Sequence, residues 1–545
     1  MMNEKITEEP RVNTVYYGGK IFTMTDETPL AEAVWVEDGR IRAVGSKDEV
    51  LSRAGGSALL RNLNGAAAYP GLIDSHLHIL NLAITLRELV LNGVRSREEL
   101  LGMLSERAKR TAAGEIICGR GFNEDLWADK RLPTRSDLDA AAPGHAVVLT
   151  RVCGHMEIAN TMAMEMAGVT RETVAPAGGW MDYENGFFAE NALGLVSIGN
   201  RDKGVDFCKQ LLYEGMCRAA DAGLTAIFSD DIMTGGYSMD TVLAAYRALE
   251  KEGRMPVRVQ EQCAFPDEAG FQAFVDAGNR YRMGGDYFVI GPRKLYADGS
   301  LGARTAWLSR PYADSPDKRG VPIYSQRELN RLAAQAHASG FPFIVHAIGD
   351  AAAESVLDAV EYARRAVPGT EDLPDGIVHC QITTQNTLER IARLGVCVYA
   401  QPVFTEYDLH ICQNRVGSAL EKTSYSWKTL LDSGVLISAG SDCPVEPLDP
   451  AKNIYCAVTR KDFDRFPEGG WMPDQRLTVA EAVRLHTVLA AKAARMEDCI
   501  GQIREGYFAD FTVFPRALDE IAPDEILNQK PIMTVVGGKE RPCPM

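Results

Sequence analysis

"YPGLIDSHLHIL", residues 69–80, is the stretch on which the reading of the fold turns. An apolar run that opens on Pro70-Gly71 ends in two histidines, His76 and His78, one residue apart. In an extended strand, residues i and i+2 face the same side, so both imidazoles can reach one ion. The same geometry holds for any two polar residues flanking a core leucine. The spacing alone therefore leaves a metal site and an ordinary strand both open.

Outward from this stretch, short apolar runs recur between helical ones. Those read as strands cover 71–75, 224–229, 257–262, 289–296, 341–345, 376–379, 396–400 and 435–439. Segments such as "SQRELNRLAAQAHASG" (325–340) and "AAAESVLDAVEYARRA" (351–366) place apolar residues at helical spacing. Alternating β and α elements imply a parallel sheet with crossover helices, and eight such strands predict an α/β fold, a (β/α)8 TIM barrel over 69–444. The stretch from 80 to 222 is too long for one crossover and reads as an inserted subdomain, a lid over the barrel mouth.

The two ends of the chain are β-rich. "TVYYGGKIFTM" (14–24) and "AVWVEDGRIRAVG" (33–45) alternate, with Asp38-Gly39 as a hairpin turn. "GQIREGYFADFTVF" (501–514) and "TVVGGK" (534–539) echo them at the far end. Each piece alone is too small to bury a core, so 1–68 and 445–545 are expected to pair into one composite β-sandwich with C-terminal helices.

Composition narrows the function classes. The chain has 545 residues, 46% hydrophobic and 24% charged, which is ordinary for a soluble enzyme of more than one module. A net charge of -16 with no basic run argues against a nucleic-acid or anionic-membrane surface and leaves a small-molecule substrate as the expected partner. The segment "MMNEKITEEPRVN" has no apolar core and predicts no signal peptide, and no stretch matches a membrane span. Twelve scattered cysteines, Cys118, Cys153 and Cys208 among them, read as reduced thiols of a cytoplasmic protein. No phosphate-binding glycine loop precedes a helix.

Active sites of such barrels sit at the C-terminal strand ends. His76 and His78 end the first strand, Lys294 lies in the fourth with Asp298 beyond it, His346 ends the fifth, His379 the sixth, and Asp442 follows the eighth. Only nine histidines are present, and four fall at these ends. A lone histidine there is an ordinary polar residue, but four converging with a carboxylate form a ligand set for Zn2+ or a similar divalent ion. Asp74 shares their strand face one pleat deeper and reads as a support, not a ligand. His145 and His337 read as plain surface or loop residues, and His410 and His486 lack a strand-end position.

The ordered motifs "GLIDSHLH" (71–78), "RGFNEDLW" (120–127), "GHMEIANT" (154–161), "KLYADGSLGARTA" (294–306), "VHAIGD" (345–350), "HCQ" (379–381), "QPVF" (401–404) and "AGSDCPVEPLDP" (439–450) span nearly the whole chain. With them the sequence resembles the amidohydrolase superfamily, in its amidohydrolase-3 branch, which includes N-substituted formamide deformylases and predicted metal-dependent hydrolases. The resemblance implies that His76, His78 and Asp442 hold the more buried ion, and His346 and His379 a second where two are present. It implies for Lys294 either a carbamate bridging two ions or a plain lysine in an ion pair or on a substrate oxygen. Carboxylation needs the neutral amine, which a desolvated site beside cations favours. His155 is a candidate for the substrate carbonyl or for a helix cap. Arg304 and Trp127 are candidates for the substrate pocket, with Glu190 and Asp230 lining it or packing beneath. Association of copies through outer helices, a homo-oligomer, is common in the family.

The expected reaction is hydrolysis of an amide-type C–N bond. An ion lowers the pKa of water from 15.7 toward about 7, and Asp442 can then serve as base and later as acid. Two other readings stay open. One is deamination of a heterocycle, which usually asks for a glutamate beside the fifth-strand histidine, and "VHAIGD" offers none. The other is a non-catalytic scaffold, against which stands the full set of ligand positions. Trp127, Trp180, Tyr183, Phe187, Phe188 and Trp307 hint at an apolar or aromatic substrate part.

Overall fold

Eight strands follow one another round a single parallel sheet in a computed structural model that describes residues 13–152, 155–176, 178–196, 202–232 and 234–543. Segment 1–12 and Cys153 lie outside the described residues. The strands are β1 (Leu72–Leu77), β2 (Leu224–Ser229), β3 (Arg258–Ala264), β4 (Phe288–Tyr296), β5 (Phe343–Ala347), β6 (Gly376–His379), β7 (Cys397–Ala400) and β8 (Ile437–Ala439). Each pairs in parallel with the next, giving a nearly closed barrel. Strands covered on both faces read as apolar runs, which is why most of them stood out from the sequence, although β3 carries Arg258, Gln260, Glu261 and Gln262.

The gap between β8 and β1 is bridged just beyond the strands. Asp442 N–H donates to the His76 carbonyl at 2.8 Å, and His78 N–H donates to the Cys443 carbonyl at 2.8 Å. Gly440 permits this approach, since a Cβ there would lie 2.6 Å from the His76 nitrogen and 2.7 Å from Asp74 Oδ1. The crossover helices carry ordinary start signals. Helix Gln326–Ala338, for one, opens on a capping box between Ser325 and Glu328.

The strands from the two chain ends share one sheet. Asn13–Phe22, Leu30–Glu37 and Arg40–Gly45 form a meander, with Asp38 and Gly39 both at positive φ in its hairpin turn. Phe511–Phe514, Met533–Val536 and Lys539–Pro542 form a second one. They join through Ala67–Pro70, parallel to the first and antiparallel to Phe511–Phe514, so the residues leading into β1 stitch the two ends together. Tyr16, Ile21, Val34, Val36, Ile41, Phe511, Val513 and Val535 fill the core of this sheet. Buried Arg258, at the base of β3, forks onto Asp510 and anchors the sheet to the barrel strand.

The chain divides into two compact units. One holds the residues up to Ile79, Leu212–Ile232 and everything from Tyr246 onward. The other holds Leu80–Leu211 and Met233–Ala245, and so takes in a segment following β2 as well as the long stretch after β1. It has its own six-stranded sheet, in the order Gly179–Asp182, Phe187–Glu190, Met156–Ala159, Val147–Arg151, Ile117–Phe122 and Leu89–Val90. No described helix is long and apolar enough to cross a membrane. The described cysteines are free thiols.

Candidate metal centre

At the C-terminal rim of the barrel, His76, His78 and Asp442 each offer a ligand atom, and these atoms all lie within 4.8 Å of one another. Asp442 Oδ1 is 3.4 Å from His76 Nε2 and 3.1 Å from His78 Nε2. The far edge of each ring is already taken. His76 Nδ1 pairs with Gln262 Oε1 at 2.6 Å, and His78 Nδ1 with the Asp230 carbonyl at 2.9 Å. An Nδ1–H held by an acceptor turns Nε2 inward, which is how imidazoles are set for metal ligation. By donor type, spacing and burial these three residues fit a divalent ion.

Lys294 stands beside them, its side chain fully buried, with Nζ 3.3 Å from His76 Nε2 and 3.5 Å from Asp230 Oδ2. His379 lies 5.7 Å from His76 and 4.5 Å from His346, ring centre to ring centre. Its Nδ1 pairs with Gln401 Oε1 at 2.7 Å, while His346 Nε2 meets the Gly299 carbonyl at 3.2 Å and Asp298 Oδ1 at 3.4 Å. His346 and His379 thus form a neighbouring pair outside the tight triad.

Burial lowers the basicity of His76, helped by the Lys294 charge. It lowers His346 as well and takes His379 down to about 4. His78 resists burial because Asp442 accepts its hydrogen bond, and it rises to about 9. Burial would raise the Asp442 carboxyl, but the His78 bond and the surrounding imidazoles hold it below the usual carboxylate range. The amine of Lys294 is lowered by burial against the pull of Asp230. Asp74 accepts from the Ser441 amide at 3.0 Å, the Ser441 hydroxyl at 2.6 Å and the His76 amide at 3.1 Å, and burial pushes it up to about 7. It clamps the β8 loop to β1 from behind and touches no ligand atom.

The remaining candidates fall elsewhere. Trp127, expected in the substrate pocket, is 2% exposed in the apolar core of the inserted unit and donates Nε1–H to the Val94 carbonyl, so its indole is spent on packing. His155 is exposed and pairs with exposed Glu190 at 3.1 Å. Arg304 forks onto Asp314 at 3.0 and 2.8 Å, which occupies the guanidinium that the pocket was expected to use. His337 is buried, bonding Asp375 and Thr370, not a loop residue. Gln262 and Gln401 have no distinctive local signal: one lies within the polar β3 and the other directly after β7. A cavity of about 870 Å³ lies within the inserted unit, its wall mixing arginines with glutamates and holding no histidine.

Comparison with known proteins agrees with this geometry. Residues 60–541 match the model described as the amidohydrolase family. The chain is 32% identical to amidohydrolase YtcJ of Bacillus subtilis over 97% of this chain and 99% of that one. It is 26% identical to an N-substituted formamide deformylase of Arthrobacter pascens, covering 95% and 96%. A solved structure of a metal-dependent hydrolase from Pyrococcus furiosus superposes with a TM-score of 0.79 at 28% identity, covering 93% of this chain and all of that one. The barrel, the rim histidines and these likenesses lead to one conclusion: the chain belongs to the amidohydrolase family, hydrolases acting on carbon–nitrogen bonds.

Proposed function

We propose that the protein hydrolyses an amide-type C–N bond of a small molecule, with Zn2+ held by His76, His78 and Asp442. The observation that carries this reading is the triad whose two Nδ1 edges are tied back and whose Nε2 atoms face one carboxylate. His346 and His379 would take a second ion, with Lys294, carboxylated, between the two. The full burial of its side chain and its contact with His76 support that role. A divalent ion bound here acidifies water and polarises a carbonyl. Asp442, held ionised by its histidines, takes the proton of the attacking water and passes it to the departing nitrogen. The strands of the two chain ends form one composite β domain, and residues 80–222 an inserted subdomain. Free thiols fit a cytoplasmic setting.

Deamination would call for a free carboxylic acid beside His346. Asp298 is near, but its oxygens already accept the Ile348, Gly349 and Trp307 amides. The test is metal analysis of purified protein, followed by a panel of N-acyl, formamide, hydantoin-like, lactone and heterocyclic-amine substrates. Hydrolysis of an amide substrate that vanishes in His76→Ala and Asp442→Ala is expected. A protein that purifies metal-free, with turnover indifferent to both changes, would overturn the reading.

A further inference from the structure

Asp230 follows the last residue of β2 and is 2% exposed. Its backbone engages Leu77, the last residue of β1, and His78, the residue after it. Its amide donates to the Leu77 carbonyl at 2.9 Å, and its carbonyl receives His78 Nδ1 at 2.9 Å. Its carboxylate reaches past β3 to β4. One oxygen, Oδ2, takes the Tyr296 hydroxyl at 2.5 Å and faces Lys294 Nζ at 3.5 Å. The Tyr296 ring lies 4.4 Å from Lys294 Nζ and 5.8 Å from the His346 ring. A single residue thus touches two strand ends that carry candidate ligands, those of β1 and β4.

We infer that Asp230 is a positioning residue for the metal centre: its carboxylate, with Tyr296 as its partner, sets where Lys294 stands relative to His76 and His346. The reason is geometric. A lysine side chain has four freely rotating carbons, and packing alone leaves its end group poorly fixed. Here the end group is held between an imidazole and a buried carboxylate. That carboxylate is itself held by a phenol whose ring lies against the lysine nitrogen. A buried anion is costly unless it is paired and hydrogen-bonded, so these contacts hold Asp230 in one place. Partners that orient ligands from behind are worth ten- to a hundred-fold in metal affinity.

This inference rests on the metal reading above, and its test separates the two. Asp230→Asn keeps the shape and removes the charge, Tyr296→Phe removes the phenol donor, and the double variant joins them. Each full-length protein is stripped of metal, titrated with Zn2+ against a chelator, and titrated with Co2+ for its absorption spectrum. Thermal melting of the metal-free proteins reports folding. The expected result is native melting with a ten- to hundred-fold loss of Zn2+ affinity and an altered Co2+ spectrum in Asp230→Asn. A smaller loss follows in Tyr296→Phe, and the double variant is no weaker than Asp230→Asn, because Tyr296 acts through Asp230. Affinity within twofold of wild type and an unchanged spectrum in Asp230→Asn, or losses that simply add, would overturn the inference. If Asp230→Asn fails to fold, Tyr296→Phe decides alone, an unchanged affinity and spectrum counting against. Wild-type protein that takes up neither ion overturns the metal reading and this inference together.

Discussion

Arg258 and Asp510 offer a sharp test of how the terminal sheet is tied to the barrel. Their side chains are 2% and 4% exposed and meet as a fork, Nε to Oδ2 at 2.7 Å and Nη2 to Oδ1 at 3.0 Å. The guanidinium lies 3.7 Å from the Phe508 ring centre and 4.5 Å from that of Tyr287, and Nη1 donates to the Asp286 carbonyl. Asp510 also accepts the Gly537 amide at 2.8 Å. Asp510→Ala strands a buried cation, a loss of about 3–5 kcal/mol, and orphans the Gly537 amide for roughly 1 kcal/mol more. Replacing both partners removes the stranded charge, so Arg258→Met with Asp510→Ala is expected to recover most of that loss. Urea titration of the three variants and wild type, followed by circular dichroism, measures this. Turnover of the folded Asp510→Ala protein should stay within about twofold, because Arg258 lies ~13 Å along β3 from Gln262, at the end away from the chemistry. A double variant no more stable than Asp510→Ala would refute the argument that the unpaired charge carries the cost.

Three further outcomes are expected. His486 is buried with Nδ1 on the Ile73 carbonyl and no partner for Nε2 among the described residues, and burial takes it down to about 4. The unfolded imidazole takes up a proton below about 6.5, so stability is full above that pH and falls by roughly 3 kcal/mol as pH drops toward 4. His486→Gln should flatten that part of the urea-midpoint profile, and parallel profiles would count against it. Gly440→Ala pushes a methyl into the His76 amide and Asp74, costing about 1–3 kcal/mol and weakening Zn2+ binding, both read by melting with and without the ion. Asp442→Asn should retain the fold, bind Zn2+ less tightly in chelator competition and lose turnover by several orders of magnitude. Undiminished hydrolysis would remove Asp442 from the reaction.

Much of the fold was legible because burial on both faces leaves its mark in most barrel strands, β3 with its polar residues being the exception. The runs ending in His346 and His379 stand out for that reason, although β8 shrank to Ile437–Ala439 and β1 ran on to Leu77. The terminal β pieces were visible as pieces. That Ala67–Pro70 joins them was not, because strand pairing depends on partners hundreds of residues away.

The candidate site divides in the same manner. By itself the sequence determined which residues can bind a cation and that they lie at strand ends, since residue type and a two-residue period are local properties. Only the tertiary structure decided that His76, His78 and Asp442 meet while His346 and His379 pair to one side. It also decided that Gln262, Gln401 and Asp230 orient the rings, and that Trp127 and Arg304 are occupied elsewhere. Hydrogen-bond partners and burial are set by contacts between distant segments, and no local pattern records them.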